Sequence, residues 1–231
     1  MTPQREGDCM RTVVMCALAC LLIVIAATVA HADSPLTQPA PAAVAARVRL
    51  PDGAFLYRRS IEQAAAEVWG VHASPARLAA QIHQESGYRK TARSGVGAEG
   101  FAQFMPGTAR WIAQQFPARL GQFDPWDPQQ AVLAAALYDQ WLLARSDGAS
   151  ACADWSFALS AYNGGEKALH AEQALADDAG SDARMWFGNV ARYRARGAHA
   201  WVQNRQYVRQ ILTVLEPAYI DAGWSGTAVC A

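Results

Sequence analysis

SPARLAAQIHQESGYRKTARSGVGAEGFAQFMPGT, residues 74–108, is the stretch from which the rest of the chain can be read. Ser74-Pro75 is a helix start: serine accepts from the first free N–H groups, and proline follows where a missing N–H costs nothing. The spacing predicts a helix from there to Gly87, with Leu78, Ile82 and Glu85 along one stripe. Glu85 is oddly placed for a surface carboxylate, because it continues an apolar face and sits in the last turn, where the helix dipole is negative. Burial and dipole both disfavour its charged form, so its pKa should rise, which suits a general acid. The competing reading is a carboxylate that bends to solvent beside Gly87.

Outward from this stretch nearly every segment reads as helix, and runs of alternating β-branched residues are scarce. Upstream, Ser60 and Gln63 form a capping-box pair ahead of Ile61, Ala65 and Val68, with Gly70 as the stop. Downstream, Thr108 is expected to cap a helix through Phe116. Asp127-Pro128 should open a long one carrying Leu133, Leu137 and Trp141. Cys152 to Tyr162 reads as another, stopped by Asn163-Gly164-Gly165. A last helix carries Val208, Ile211, Leu212 and Leu215 and is bent or ended near Pro217. No repeat of fixed period is visible, which argues against a solenoid.

With 231 residues, 52% hydrophobic and 17% charged, the chain can build one sizeable core plus extensions. Arg5 and Arg11 precede an uncharged apolar run and an Ala30-His31-Ala32 site, so residues 1–32 read as an export signal; an uncleaved membrane anchor is the alternative. Residues 33–52, with Pro35, Pro39, Pro41 and Pro51 among alanines, read as a tether, and folding is expected to start near Phe55. Removing the signal leaves the charge balanced, which argues against a nucleic-acid partner bound through bulk charge. Two of the five cysteines, Cys152 and Cys230, lie outside the signal. In an oxidising compartment an even pair reads as a disulfide, and two unpaired, partly buried thiols are the alternative.

Three blocks carry a family resemblance: Gln84-Glu85-Ser86-Gly87-Tyr88, then Ser94 to Ala109 (SGVGAEGFAQFMPGTA), then Ala161-Tyr162-Asn163-Gly164-Gly165. In order and spacing they resemble the soluble lytic transglycosylase catalytic domain, over roughly Phe55 to Leu215. The resemblance implies an all-α, mainly helical, lysozyme-like single catalytic domain over 53–224; the tail, 225–231, is tied back if Cys230 pairs with Cys152. It also implies periplasmic action on peptidoglycan glycan strands. Glu85 would protonate the glycosidic oxygen and then deprotonate the muramic acid 6-hydroxyl, giving a 1,6-anhydro product. Such an intramolecular nucleophile explains why no second acid accompanies Glu85, whereas most glycosidases need two. By the same resemblance Ser94 would contact the acetamido group, Gln103 would line the cleft, and Tyr162 with Asn163 would stand near the acid. Taken alone, Ser94 is a turn residue and Tyr162-Asn163 a helix terminus.

Two departures from the family pattern stand out. Gly100-Phe101-Ala102-Gln103 replaces Gly-Leu-Met-Gln, so a cleft-forming methionine becomes alanine and substrate fit is in question. Gln203-Asn204-Arg205-Gln206-Tyr207-Val208 stands where Glu-Thr-Arg-x-Tyr-Val is common, so a second cleft carboxylate becomes an amide. Met105-Pro106 is expected to shape the loop, and Trp126 is a candidate for stacking on a sugar. Gly95 to Gly100 matches G-x-G-x-x-G, but a polar segment precedes it where a strand is required. No cofactor and no metal are expected. The expected partners are glycan strands and a conjugation or secretion apparatus, with the chain a monomer; a hydrolytic muramidase and an inactive wall-binding scaffold are the rival functions.

Overall fold

The computed structural model describes residues 48–230, and the regular structure among them is helical, with two isolated antiparallel bridges, Arg93 with Glu99 and Glu99 with Phe104. This is the expected all-α class. The export signal at 1–32 and residues 33–47 of the tether lie outside the described residues. Val48 and Leu50 already pack on the core, so the folded part begins ahead of Phe55.

Helix α1 (Asp52–Leu56) runs through Tyr57 into α2 (Arg58–Trp69). The expected capping box is not formed, since α2 starts before Ser60 and Tyr57 makes no side-chain cap. The reason is α1 itself: Tyr57 bonds back to Gly53 O at 3.0 Å, so the chain enters α2 already turning. Gly70 ends α2 as expected, and a short 3-10 turn, Gly70–His72, follows.

Helix α3 (Pro75–Ser86) begins and ends as its sequence predicts. Ser74 Oγ accepts from the Arg77 N–H at 3.4 Å, Pro75 opens the first turn, and Gly87 closes the last one in the left-handed conformation, φ 58°. Nine of its twelve residues are buried, among them Ala76, Ala79 and Ala80. Small side chains on several faces let α2, α6 and the C-terminal helices close around it.

Helix α4 (Pro106–Gln115) starts at Pro106, not after Thr108, because the proline takes the first helical position and puts Thr108 inside the first turn. A short α5 (Pro117–Leu120) leads to α6 (Pro128–Leu143), where Asp127 Oδ1 accepts from the Gln129 and Gln130 N–H groups, both at 2.9 Å. Helix α7 (Ala151–Gly164) follows, then α8 (Glu166–Asp178), whose pattern sequence analysis did not single out. Helix α9 (Ala198–Gln210) passes through a π turn, Ile211–Leu215, into α10 (Glu216–Asp221). Pro217 does not end the helix: with no N–H to give, it lies in the first turn of α10, and the turn just ahead of it is wound wide, so the irregularity expected near Pro217 is a π turn.

Helix α6 packs between α2 and α7, and α7 packs in turn on α9, with Leu78, Ile82, Leu137, Phe157, Ile211 and Leu212 buried in the shared core. A disulfide joins Cys152, at the start of α7, to Cys230 across a sequence separation of 78. The tail it anchors lies on the start of α3, where Ser225 O accepts from the Ala76 N–H at 3.0 Å and Thr227 O from Arg77 at 3.1 Å. In the chain-entropy account a loop of this length contributes on the order of 4 kcal/mol. Among the described residues no helix is long and apolar enough to cross a membrane.

Candidate active site

Glu85, at the end of α3, faces a cleft of about 490 Å³ walled by the loop after α3 and by residues of α4, α6, α7 and α9. Ser94, Gln103, Tyr162 and Asn163 all line this cleft. The fold thus brings together every residue expected there, although the blocks that carry them are far apart in sequence.

The loop is shaped by its backbone. Glu99 and Phe104 exchange both backbone hydrogen bonds, at 2.9 and 3.0 Å, and close the turn between them. Gly100 sits at φ 76° with its α-carbon against the 124–127 loop, so that a β-carbon there would fall 1.8 Å from Pro125 O. No side chain fits that place. Gln103, itself at φ 52°, donates from Nε2 to Ala92 O at 3.1 Å and to Gly100 O at 2.9 Å, so its amide staples the loop while it lines the cleft. Ser94 Oγ accepts from the Ala98 N–H at 2.9 Å. That bond leaves the hydroxyl proton free to donate.

Glu85 is held by Tyr207 of α9, whose hydroxyl donates to Oε1 at 2.5 Å. Burial pushes the Glu85 carboxyl up to about 8, against the opposing pull of the Tyr207 hydrogen bond. Burial, followed by the charge of Glu85, likewise raises the phenols of Tyr207 and Tyr162, so both stay protonated donors. With Oε1 engaged, Oε2 is the oxygen left to carry the proton. The Tyr162 hydroxyl is committed elsewhere, donating to Ala102 O at 2.9 Å, so Tyr162 contributes to the wall mainly through its ring. Asn163 Oδ1 accepts from Asn204 at 3.1 Å; Asn204 is fully buried and also bonds Ser160 O at 2.9 Å, tying the end of α7 to α9.

Three expectations about the walls change. Ala102 is fully buried and is not among the residues that line the cleft. Met105, expected only to shape the loop, is 43% exposed and lines the cleft. Trp126 is not among the lining residues; its backbone N–H is bonded to Asp124 at 2.9 Å. In the block from Gln203 to Val208, Gln203 faces the cleft while Asn204 is buried behind it.

Two side chains that shape the surroundings of Glu85 escaped sequence analysis. Tyr207 lay within a block already quoted, but its contact with Glu85 spans 122 positions. Asp139 is fully buried in the middle of α6, where Gln81, one turn before Glu85 on α3, donates to its Oδ1 at 3.2 Å. Its signal was legible: a single acid inside the apolar run from Ala131 to Leu143. Burial pushes Asp139 up to about 8, opposed by the Gln81 bond and the Arg77 charge. Asp139 Oδ2 and Gln81 Oε1 are both buried without hydrogen-bond partners, a situation that costs a neutral carboxyl less than a carboxylate.

The linkage has a definite sign. Asp139 ionises near 4 in the unfolded chain and near 8 in the folded one, so its contribution is complete below about pH 4 and is lost as pH rises to about 8. Glu85 acts in the same direction. Wild type should melt several degrees lower at pH 8 than at pH 5, each kcal/mol being worth about 3 °C at this size. Asp139→Asn, which keeps a neutral side chain, should show a clearly smaller fall; an equal fall in thermal melts at the two pH values would mean that Asp139 is already charged in the fold.

The family model for the transglycosylase SLT domain matches residues 62–184, a span containing Glu85, the loop and the end of α7. Among solved structures, the 70 kDa soluble lytic transglycosylase of Escherichia coli is similar over 76% of this chain, with 23% identity and a TM-score of 0.53. An inactive mutant of the lytic transglycosylase Slt of Pseudomonas aeruginosa is similar over 75%, with 22% identity and a TM-score of 0.50. At these identities the likeness is one of fold. The chain covers about a quarter of each of those proteins, 26% and 25%. The family match takes in more than half of the chain, and with the carboxyl, loop and helix terminus in one cleft, this protein belongs to the transglycosylase SLT domain family.

Proposed function

We propose that the chain is a peptidoglycan lytic transglycosylase, cleaving the bond between N-acetylmuramic acid and N-acetylglucosamine with formation of a 1,6-anhydro end. The observation that carries this reading is that Glu85 is the one carboxyl among the cleft-lining residues, buried enough to hold a proton up to about pH 8. A hydrolase with two cleft carboxylates would activate water or form a glycosyl ester with the second. Among the described residues the cleft lining offers one acid, which supports chemistry run through Glu85 alone.

Glu85 gives its proton to the glycosidic oxygen as the bond to the muramic acid anomeric carbon breaks, and the departing N-acetylglucosamine leaves as an alcohol. The resulting carboxylate, held through Oε1 by Tyr207, then takes the proton of the muramic acid 6-hydroxyl. That oxygen closes on the anomeric carbon. Glu85 ends protonated as it began, and no water is consumed. Ser94, with its donor free, would orient the acetamido group that steadies the positive charge at the anomeric carbon. Gln103, Tyr162 and Asn163 would shape the cleft around it.

The export signal expected at 1–32 supports a periplasmic setting, and resemblance to specialised transglycosylases supports local wall opening for a conjugation or secretion apparatus. Digestion of purified sacculi, with mass spectrometry of the released fragments, tests the chemistry. Anhydro-muramyl ends are expected; reducing ends alone would make the protein a muramidase, and binding without cleavage would make it a scaffold.

A further inference from the structure

We propose that a shallow aromatic pocket between α4 and α6 is an additional saccharide subsite, taking one N-acetylhexosamine ring of the strand whose scissile bond lies at Glu85. The proposal rests on the reading of the cleft as a glycan site and extends it to residues outside the catalytic blocks. The pocket, of about 360 Å³, is lined by Gly107, Thr108, Trp111, Tyr138, Trp141 and Glu166. Thr108 and Tyr138 also line the cleft that holds Glu85, so one surface runs into the other.

Its walls are aromatic. The Trp111 and Trp141 rings meet edge to face at 4.8 Å, and Tyr138 lies 5.7 Å from Trp111 and 6.0 Å from Trp141. All three are half-buried, with apolar ring surface left at the pocket. A pyranose presents C–H groups on its faces and hydroxyls round its edge, which matches aromatic walls with a polar rim.

The rim also argues against charged occupants. Arg145 Nε is paired with Glu166 Oε1 at 2.8 Å, and its guanidinium lies 4.4 Å above the Trp141 ring. An ammonium group would compete with a cation already stacked there, and a carboxylate would find that cation already paired. A neutral ring brings no charge to compete with that pair, and it would meet the pocket at Trp111 and Tyr138, since the face of Trp141 under Arg145 is already covered. Glu166 has a second oxygen for which no protein donor is recorded among the described residues, able to accept from a ring hydroxyl or an acetamido N–H.

The test uses full-length protein carrying Glu85→Gln to prevent turnover, with β-1,4-linked N-acetylglucosamine oligomers of three and six units as probes and calorimetry as the readout. Adding Trp111→Ala should weaken hexamer binding about tenfold, the scale of one lost stacking contact, and leave trimer binding unchanged. Trp111→Phe, which keeps an apolar ring in the packing, should lose less, and melting curves will show that each variant is folded. Hexamer binding unchanged in the folded Trp111→Ala variant would overturn the subsite. Equal losses for trimer and hexamer would also overturn it, since Trp111 would then be supporting the cleft. If the Glu85→Gln protein binds neither oligomer, the glycan reading of the cleft fails first and takes the subsite with it.

Discussion

Glu85→Gln should lower the release of fragments from purified sacculi by about 10³-fold or more, while leaving the fold and strand binding intact. The magnitude is that of a general acid–base group, and here one group serves both proton transfers. Glutamine keeps the shape and still accepts from Tyr207, so loss of proton transfer is separated from loss of structure. The pH profile of wild type supplies a second check. Glu85 must be protonated to start the reaction, and its pKa of about 8 predicts activity that holds through neutrality and declines above that value. Release by Glu85→Gln within tenfold of wild type would remove Glu85 from the acid's role.

Glu172→Ala should destabilise the protein by about 3–5 kcal/mol, the cost of leaving buried charge unpaired, which lowers the melting temperature by about 10 °C at this size. Glu172 lies fully buried on α8 between two arginines. Arg196 meets it with two bonds, each 2.9 Å, and Arg205 of α9 lies 2.8 Å from Oε2. Removing the carboxylate leaves Arg196 without the group it bonds and Arg205 with only neutral acceptors. The effect reaches the site, because Arg196 lines the cleft beside Gly164 and α9 carries Tyr207. A melting temperature within about 2 °C of wild type would show that the two arginines are already satisfied by their other partners.

Much of this protein is legible in local chemistry. Ser74-Pro75, Gly87 and Asp127-Pro128 act through hydrogen bonds and dihedral preferences within a few residues, so the ends of α3 and the start of α6 followed from sequence. Where the expected starts failed, at Ser60 and Thr108, a neighbouring element had already begun the helix: α1 runs into the first, and Pro106 precedes the second. Glu85 was identifiable because its place on an apolar stripe is itself a local fact.

What sequence alone determined is therefore the helical class, the inward-facing place of the Glu85 carboxyl, and the membership of one cleft through the order of three blocks. Tertiary structure decided the rest. It set which hydroxyl meets Glu85, placed Met105 rather than Ala102 on the cleft wall, buried Asp139 behind Gln81, and surrounded Glu172 with two arginines. Each of these depends on contacts between helices distant in sequence, and the pKa of a carboxyl follows from the solvent and partners that such contacts leave it. Periodicity can say that an acid faces inward; only the packing of α3 against its neighbours says how dry its surroundings are.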